Sequence, residues 1–216
     1  MIKKFYSIIR DKVLSAPSEA GEPSAGLLQA RVRDSALSLL EAKAARVLEI
    51  GCGEGFFLKK VLQRWPDAQC TGVDISGEQL ERARGRLGSA VTLSQVNGGE
   101  LPFSDAFFDK VAAVNLLMNL PDDETVNAVL KEAARVCRPG AELVCDIRNG
   151  GNALMRLKYR TAGCYDATID CSRLKLYTPD DMTQRLEAAG FIIQTLRPVR
   201  VFPLGVAAYL IHAKRS

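Results

Sequence analysis

Val47-Leu48-Glu49-Ile50-Gly51-Cys52-Gly53-Glu54-Gly55 is the stretch on which the fold of this chain turns. A short, largely apolar run with strand-forming residues meets three glycines at alternate positions, and helix-like sequence follows. Glycines in such a turn let a ligand approach the backbone closely, because a side chain would block it, and amide groups are exposed where the helix begins. The next strand ends at Asp74, 23 residues after Gly51, where a carboxylate can accept both hydroxyl protons of a ribose. Together the two features describe a nucleoside site at the carboxyl edge of a sheet. A dinucleotide pattern would place its third glycine at residue 56, but Phe56 stands there and Gly55 comes one place early. That departure disfavours an NAD(P)-dependent oxidoreductase, the alternative enzyme reading.

On either side of this stretch the chain alternates. Apolar runs at 46–50, 70–74, 91–95, 110–115 and 141–147 read as strands, separated for the most part by helical segments near 54–65, 76–87 and 122–136. Such a rhythm predicts a parallel sheet covered on both faces. Arg138-Pro139-Gly140 reads as a helix stop followed by a turn, and Thr178-Pro179-Asp180-Asp181 as the cap of a helix ending at Gly190. Closing strands near 191–197 and 204–212 are joined by too few residues for a crossover, so an antiparallel hairpin is expected. Before residue 45, Ile2, Phe5, Ile9 and Val13 fall at helical spacing beside Lys3, Lys4, Arg10 and Lys12, which predicts an amphipathic helix over 1–14. Turn formers fill 15–24, and a second helix is expected over 25–42. Residues 1–44 are thus read as N-terminal helices and linker forming a cap or lid, and 45–216 as the core.

Composition narrows the class. At 216 residues, with 47% hydrophobic and 25% charged residues, the chain fits one domain with an ordinary core. No apolar run approaches the roughly 20 residues of a membrane span, and polar residues interrupt the start of the chain where a signal peptide would be apolar. Six cysteines without a CxxC pair, and a single histidine, build no familiar zinc site and read as reduced thiols in the cytoplasm. A net charge of +4 is too small to argue for nucleic acid. No metal is expected.

Four motifs in order carry a family resemblance. They are the glycine stretch, Gly72-Val73-Asp74-Ile75-Ser76, Leu101-Pro102-Phe103 with Phe108-Asp109, and Arg135-Val136-Cys137-Arg138-Pro139-Gly140, with Ala188-Ala189-Gly190-Phe191 closing the last helix. On them the chain resembles the class I S-adenosylmethionine-dependent methyltransferases, in the small-molecule branch that includes ubiquinone and menaquinone biosynthesis enzymes. The resemblance implies a single doubly wound, Rossmann-like α/β domain with seven strands in the order 3-2-1-4-5-7-6, the seventh antiparallel. It implies that Glu49 and the backbone of Gly51, Cys52 and Gly53 face the methionine part of S-adenosylmethionine, that Asp74 holds the ribose, and that Ile75 covers one face of the adenine. Asn97, beside Gly98, stands where the family usually has an aspartate reading the adenine amino group. Its amide oxygen can still accept that hydrogen bond. Asn115 and Leu116 would line the cofactor near its reactive methyl, with S-adenosylhomocysteine as product.

Methyl transfer from a sulfonium is an in-line displacement, so holding nucleophile and methyl in contact while excluding water achieves much without a dedicated base. Leu117-Met118-Asn119-Leu120 supplies no histidine where the family often has one, and nothing there suits most nucleic-acid methylation. Residues 148–176, read as an acceptor-side insertion, carry Arg148, Arg156, Lys158, Arg160, Arg173 and Lys175 against Asp166 and Asp170. An acidic or lipid-like small acceptor is therefore expected, with Arg148 and Arg160 as clamps and Tyr165 orienting it. Arg148, Tyr165 and His212 are the candidate catalytic residues. Residues 1–14 could touch a membrane surface, and a monomer or homodimer is expected. A non-catalytic S-adenosylmethionine-binding partner protein is the third reading.

Overall fold

The structure, a computed structural model, describes residues 26–41, 45–165, 175–202 and 204–216. The expected helix at 1–14 and the turn-rich stretch 15–24 lie outside them. Strand β1 (Arg46–Ile50) sits at the centre of the sheet, with parallel neighbours β2 (Gln69–Asp74) and β4 (Phe108–Ala113) on its two sides. β3 (Val91–Gln95) extends the sheet beyond β2, and β5 (Cys137–Arg148) lies parallel to β4. β7 (Gly205–Arg215) runs antiparallel between β5 and β6 (Phe191–Val201), giving the order β3-β2-β1-β4-β5-β7-β6 expected of the fold.

Among the described residues six α-helices flank the sheet: α1 (Leu27–Leu39), α2 (Phe56–Arg64), α3 (Gly77–Leu87), α4 (Asp123–Val136), α5 (Ala153–Tyr165) and α6 (Pro179–Ala188). Four of them begin where the preceding side chain takes up an otherwise orphaned amide, α5 through Asn152, whose Oδ1 accepts from Met155 N at 3.1 Å. Ser76 accepts from Gln79 N, Asp122 from Thr125 N and Thr178 from Asp181 N, with Pro179 opening α6 where its missing N–H costs nothing.

Alternation along the strands divides the core in two. Val47, Ala112, Val144 and Leu210 turn to the face covered by α1, α2 and α3, and Leu48, Val111, Leu143 and Ile211 to the face covered by α4 and α6. One expectation is corrected: Arg138-Pro139-Gly140 is not a turn between elements. Cys137 already pairs with Phe108, and the register shifts before Glu142 pairs with Lys110, so the three exposed residues form an irregular opening of β5, with Gly140 left-handed (φ 77°). No helix among the described residues is long and apolar enough to cross a membrane.

Candidate functional site

The strand order reverses between the parallel strands β1 and β4, where neighbouring connections leave in opposite directions and open a crevice at the carboxyl ends of the strands. The glycine turn forms its floor. Gly51, Gly53 and Gly55 all take left-handed backbone (φ 70°, 51° and 77°), which L side chains rarely adopt. At Gly51 a Cβ would meet Leu116 Cδ1 at 2.6 Å, whereas at Gly55 it would meet Leu87 Cδ1 at 2.6 Å. Gly51 therefore lets the turn after β4 close against the glycine loop, and Gly55 serves the packing of α3.

The backbone amides of this turn are not waiting for an anion. Gly51 N and Cys52 N both donate to Val73 O, and Gly53 N donates to Asp74 Oδ2 at 2.8 Å. At the start of α2, Leu58 N donates to the carboxylate of Glu49. Glu49 is buried, and burial holds its carboxyl well above the usual range, with Arg33 opposing and Asp74 adding to the rise. Its Oε2 has no hydrogen-bond partner. A helix N-terminus whose amide is already held by a carboxyl group offers less to a phosphate and instead presents an acceptor for an ammonium or hydroxyl donor.

Asp74 also accepts from Ser76 N at 2.9 Å, so each oxygen holds one backbone amide and keeps a further lone pair. Ile75, exposed at 72%, stands beside it with its carbonyl held by Gln95 Nε2. Cys52 sends its side chain into the core against Gly72, and burial pushes its thiol up, so only its backbone borders the turn. Asn97 accepts from Gly99 N at 3.1 Å, bracing its own turn with the oxygen expected to read adenine. Gly98 packs against Ile50, where a Cβ would lie 2.7 Å from Cγ2.

Asn115 gathers the opposite wall. It sits in left-handed backbone (φ 58°), its N–H donates to Asp146 Oδ1 at 2.5 Å, its Oδ1 accepts from Arg148 Nη2 at 2.6 Å, and its Nδ2 reaches Gln29 O on α1 at 3.4 Å. Arg148 Nη1 also pairs with Asp146. This corrects the reading of Arg148 as an acceptor clamp or catalytic group, since its side chain is fully buried and its guanidinium is committed to Asp146 and Asn115. Burial raises the Asp146 carboxyl, opposed first by Arg148 and then by the Asn115 amide.

His212 lies elsewhere. It is buried beside Glu142 (3.8 Å) toward the amino ends of β4 and β5, so it cannot serve chemistry at the carboxyl edge. Arg160 is exposed on α5, and Tyr165 ends that helix with a side chain outside the described residues. α5 still reaches the turn after β4, because Tyr159 Oη approaches Met118 Sδ at 3.8 Å, and separately Lys175 N, ahead of α6, donates to Met118 O at 2.8 Å. Arg33 was missed by the sequence reading. It is buried on α1, and its charge acts on both Glu49 and Asp146. Its position on the covered face of α1, among Val32 and Ala36, was the available signal.

Residues 47–140 match the family described as a methyltransferase domain. An O-methyltransferase, cnsE, of Penicillium expansum is 29% identical over 178 residues, covering 78% of this chain and 59% of that protein. The ubiquinone/menaquinone biosynthesis C-methyltransferase of Desulfotalea psychrophila is 35% identical over 103 residues, covering 47% of this chain and 41% of that protein. The chain thus spans about three fifths or less of the length of these two relatives. Among solved structures, the 1,6-didemethyltoxoflavin-N1-methyltransferase of Burkholderia thailandensis, with bound 1,6-didemethyltoxoflavin and S-adenosylhomocysteine, superposes with a TM-score of 0.65 at 16% identity. That alignment covers all of this chain and 87% of the other.

Proposed function

We propose that the chain is a class I S-adenosylmethionine-dependent methyltransferase, which binds S-adenosylmethionine in this crevice and methylates a small molecule. The observation that carries the reading is Glu49: a buried carboxylate with one free oxygen, placed where a dinucleotide enzyme would need bare amides for pyrophosphate. An amino-acid ammonium suits that oxygen. Asp74, with a lone pair left on each oxygen, takes the ribose hydroxyls, and Ile75 offers an uncovered apolar face to the adenine. Asn97 and Gly98 border the adenine end, and Asn115 and Leu116 the reacting end. The S-adenosylhomocysteine bound to the toxoflavin-type enzyme of the same fold supports this assignment.

When bound, the cofactor supplies an electrophilic methyl group; the chain's task is to hold, orient and dry the reacting atoms. α1 contributes the charge of Arg33, and Leu116 closes the crevice over Gly51. With Arg148 committed elsewhere, Arg160 is the remaining described candidate for engaging an acidic or lipid-like acceptor, and Tyr165 for orienting it. Residues 1–44 act as the cap and 148–176 as the acceptor side, a division supported by the contacts of α1 and α5 with the turn after β4. The four cysteines that are free and buried among the described residues support a cytoplasmic setting, where a monomer or homodimer would act.

Calorimetric titration decides the cofactor. S-adenosylhomocysteine should bind and NAD should not, and Glu49→Gln should weaken the binding roughly ten- to a hundred-fold, as loss of a hydrogen bond between charged groups does. Saturable binding of NAD, or indifference to Glu49→Gln, would overturn the assignment. A protein that binds S-adenosylmethionine and never releases S-adenosylhomocysteine across a broad acceptor panel would instead be a binding partner.

A further inference from the structure

Arg148 is the largest fully buried side chain among the described residues, and its guanidinium donates to Asp146 and to Asn115. Its two limbs do different things. Nη1 neutralises Asp146, whose other oxygen accepts the Asn115 amide, and Nη2 donates to the Asn115 side chain at 2.6 Å. Asn115 is thereby gripped at its backbone and its side chain, in a left-handed conformation (φ 58°) that a non-glycine residue adopts at a cost. The next residue, Leu116, packs on Gly51 so closely that no Cβ fits between them. Leu116 O then accepts from Asn119 N at 2.8 Å, and Asn119 Nδ2 returns to Asn115 O at 2.9 Å, closing the turn.

We infer that Arg148 is a positioning residue: its fork, acting through Asp146 and Asn115, sets the turn after β4 so that Leu116 forms the wall of the crevice opposite Gly51. The inference rests on the crevice being the cofactor site for what concerns affinity, but the geometry of the turn stands without it. A planar guanidinium is required because both limbs are used at once; a lysine can satisfy Asp146 or Asn115, not both in the same geometry.

Two variants and their combination test this. Arg148→Lys keeps the charge against Asp146 and loses the second limb. Asn115→Gly keeps the left-handed backbone without strain and removes the side-chain acceptor. In the ligand-free protein, amide hydrogen exchange at Asn115 and Asn119 should quicken at least ten-fold in each variant, while Val111 to Ala113 within β4 changes less than two-fold. Binding of S-adenosylhomocysteine should weaken roughly ten-fold in each. The double variant should be little worse than the worse single one, because both break the same contact. Unchanged exchange at Asn115 and Asn119 in both variants, or effects that simply multiply in the double variant, would show that Arg148 serves stability alone. If the unaltered protein fails to bind S-adenosylhomocysteine, the cofactor assignment falls while the exchange comparison still decides the role of Arg148.

Discussion

Strands β4 and β5 bury an ionic cluster at each end, and the two are built differently. At the amino ends, Lys110 and Glu142 are register partners with Nζ and Oε2 2.5 Å apart, His212 lies 3.8 Å from the same oxygen, and Glu41 N donates to it at 3.4 Å. At the carboxyl ends, Asp146 and Arg148 come from one strand and reach across to the Asn115 turn. Both clusters lie on the same face of β5, which reads Glu142, Val144, Asp146, Arg148 at alternate positions, with the apolar Val144 and its neighbours Val47, Ala112 and Leu210 between them. α1, about 20 Å long, leads from one to the other: Gln29 O meets Asn115, and Glu41, just past its end, meets Glu142. A buried ion pair alone therefore does not mark a site. The pair between regular strands locks register; the pair that grips a left-handed turn shapes a crevice.

The largest effect expected is on stability. Arg148→Met and Lys110→Met each leave a carboxylate buried without its cation, and urea unfolding at pH 7.5 should show a loss of about 3–5 kcal/mol in either case. The two should part on ligand. Lys110→Met should leave S-adenosylhomocysteine affinity within two-fold in molecules that remain folded, and an equal loss in both variants would erase the distinction between the clusters. A smaller effect is expected at Gly51→Ala, where left-handed backbone alone costs about 1–2 kcal/mol and the added methyl displaces Leu116. Here thermal stabilisation by S-adenosylhomocysteine should vanish; a full ligand response would mean Leu116 is not a wall of the crevice.

The mildest test is of pH, at the amino-end cluster. Burial pushes the His212 imidazole down, with Glu142 and Glu41 opposing. The neutral form is thus favoured in the folded state, so this contribution is fully present above the unfolded value of about 6.5 and is lost as pH falls through the lower folded value. Denaturation midpoints from pH 7.5 to 5 should decline, and His212→Gln should flatten that part of the curve. A decline of the same size in the variant would assign it to other groups.

Much of this was readable beforehand because it depends on local rules. Strand, glycine turn and helix followed from residues 47–55, and the ends of β1 and β3 fell where apolar runs stop. The strand order came from family resemblance, since periodicity does not say which strands are neighbours. The functions of Arg33 and Arg148 were hidden for one reason: a sequence shows a charge but not the carboxylate that folding brings to it. Arg148 reads as a cation in a basic segment, yet its position two residues after Asp146 on a buried strand puts both side chains on one covered face. Arg138-Pro139-Gly140 was misread because proline and glycine signal a turn equally well when they open an irregular strand.

The placement of β7 between β5 and β6 has a consequence for how the protein is made. Of its two neighbours only β6 adjoins it in the chain: β5 must wait for a partner emerging some 57 residues after its own last residue, from Arg148 to Gly205, and β6 is on the ribosome before the strand that will separate it from β5. Until then both expose unpaired edges, whereas β1 to β4 can already assemble from nearby sequence. The half that carries the glycine turn should thus become structured first during synthesis, and the half that carries the Arg148 clamp last, so nascent chains stalled before residue 205 are the ones a chaperone should recognise.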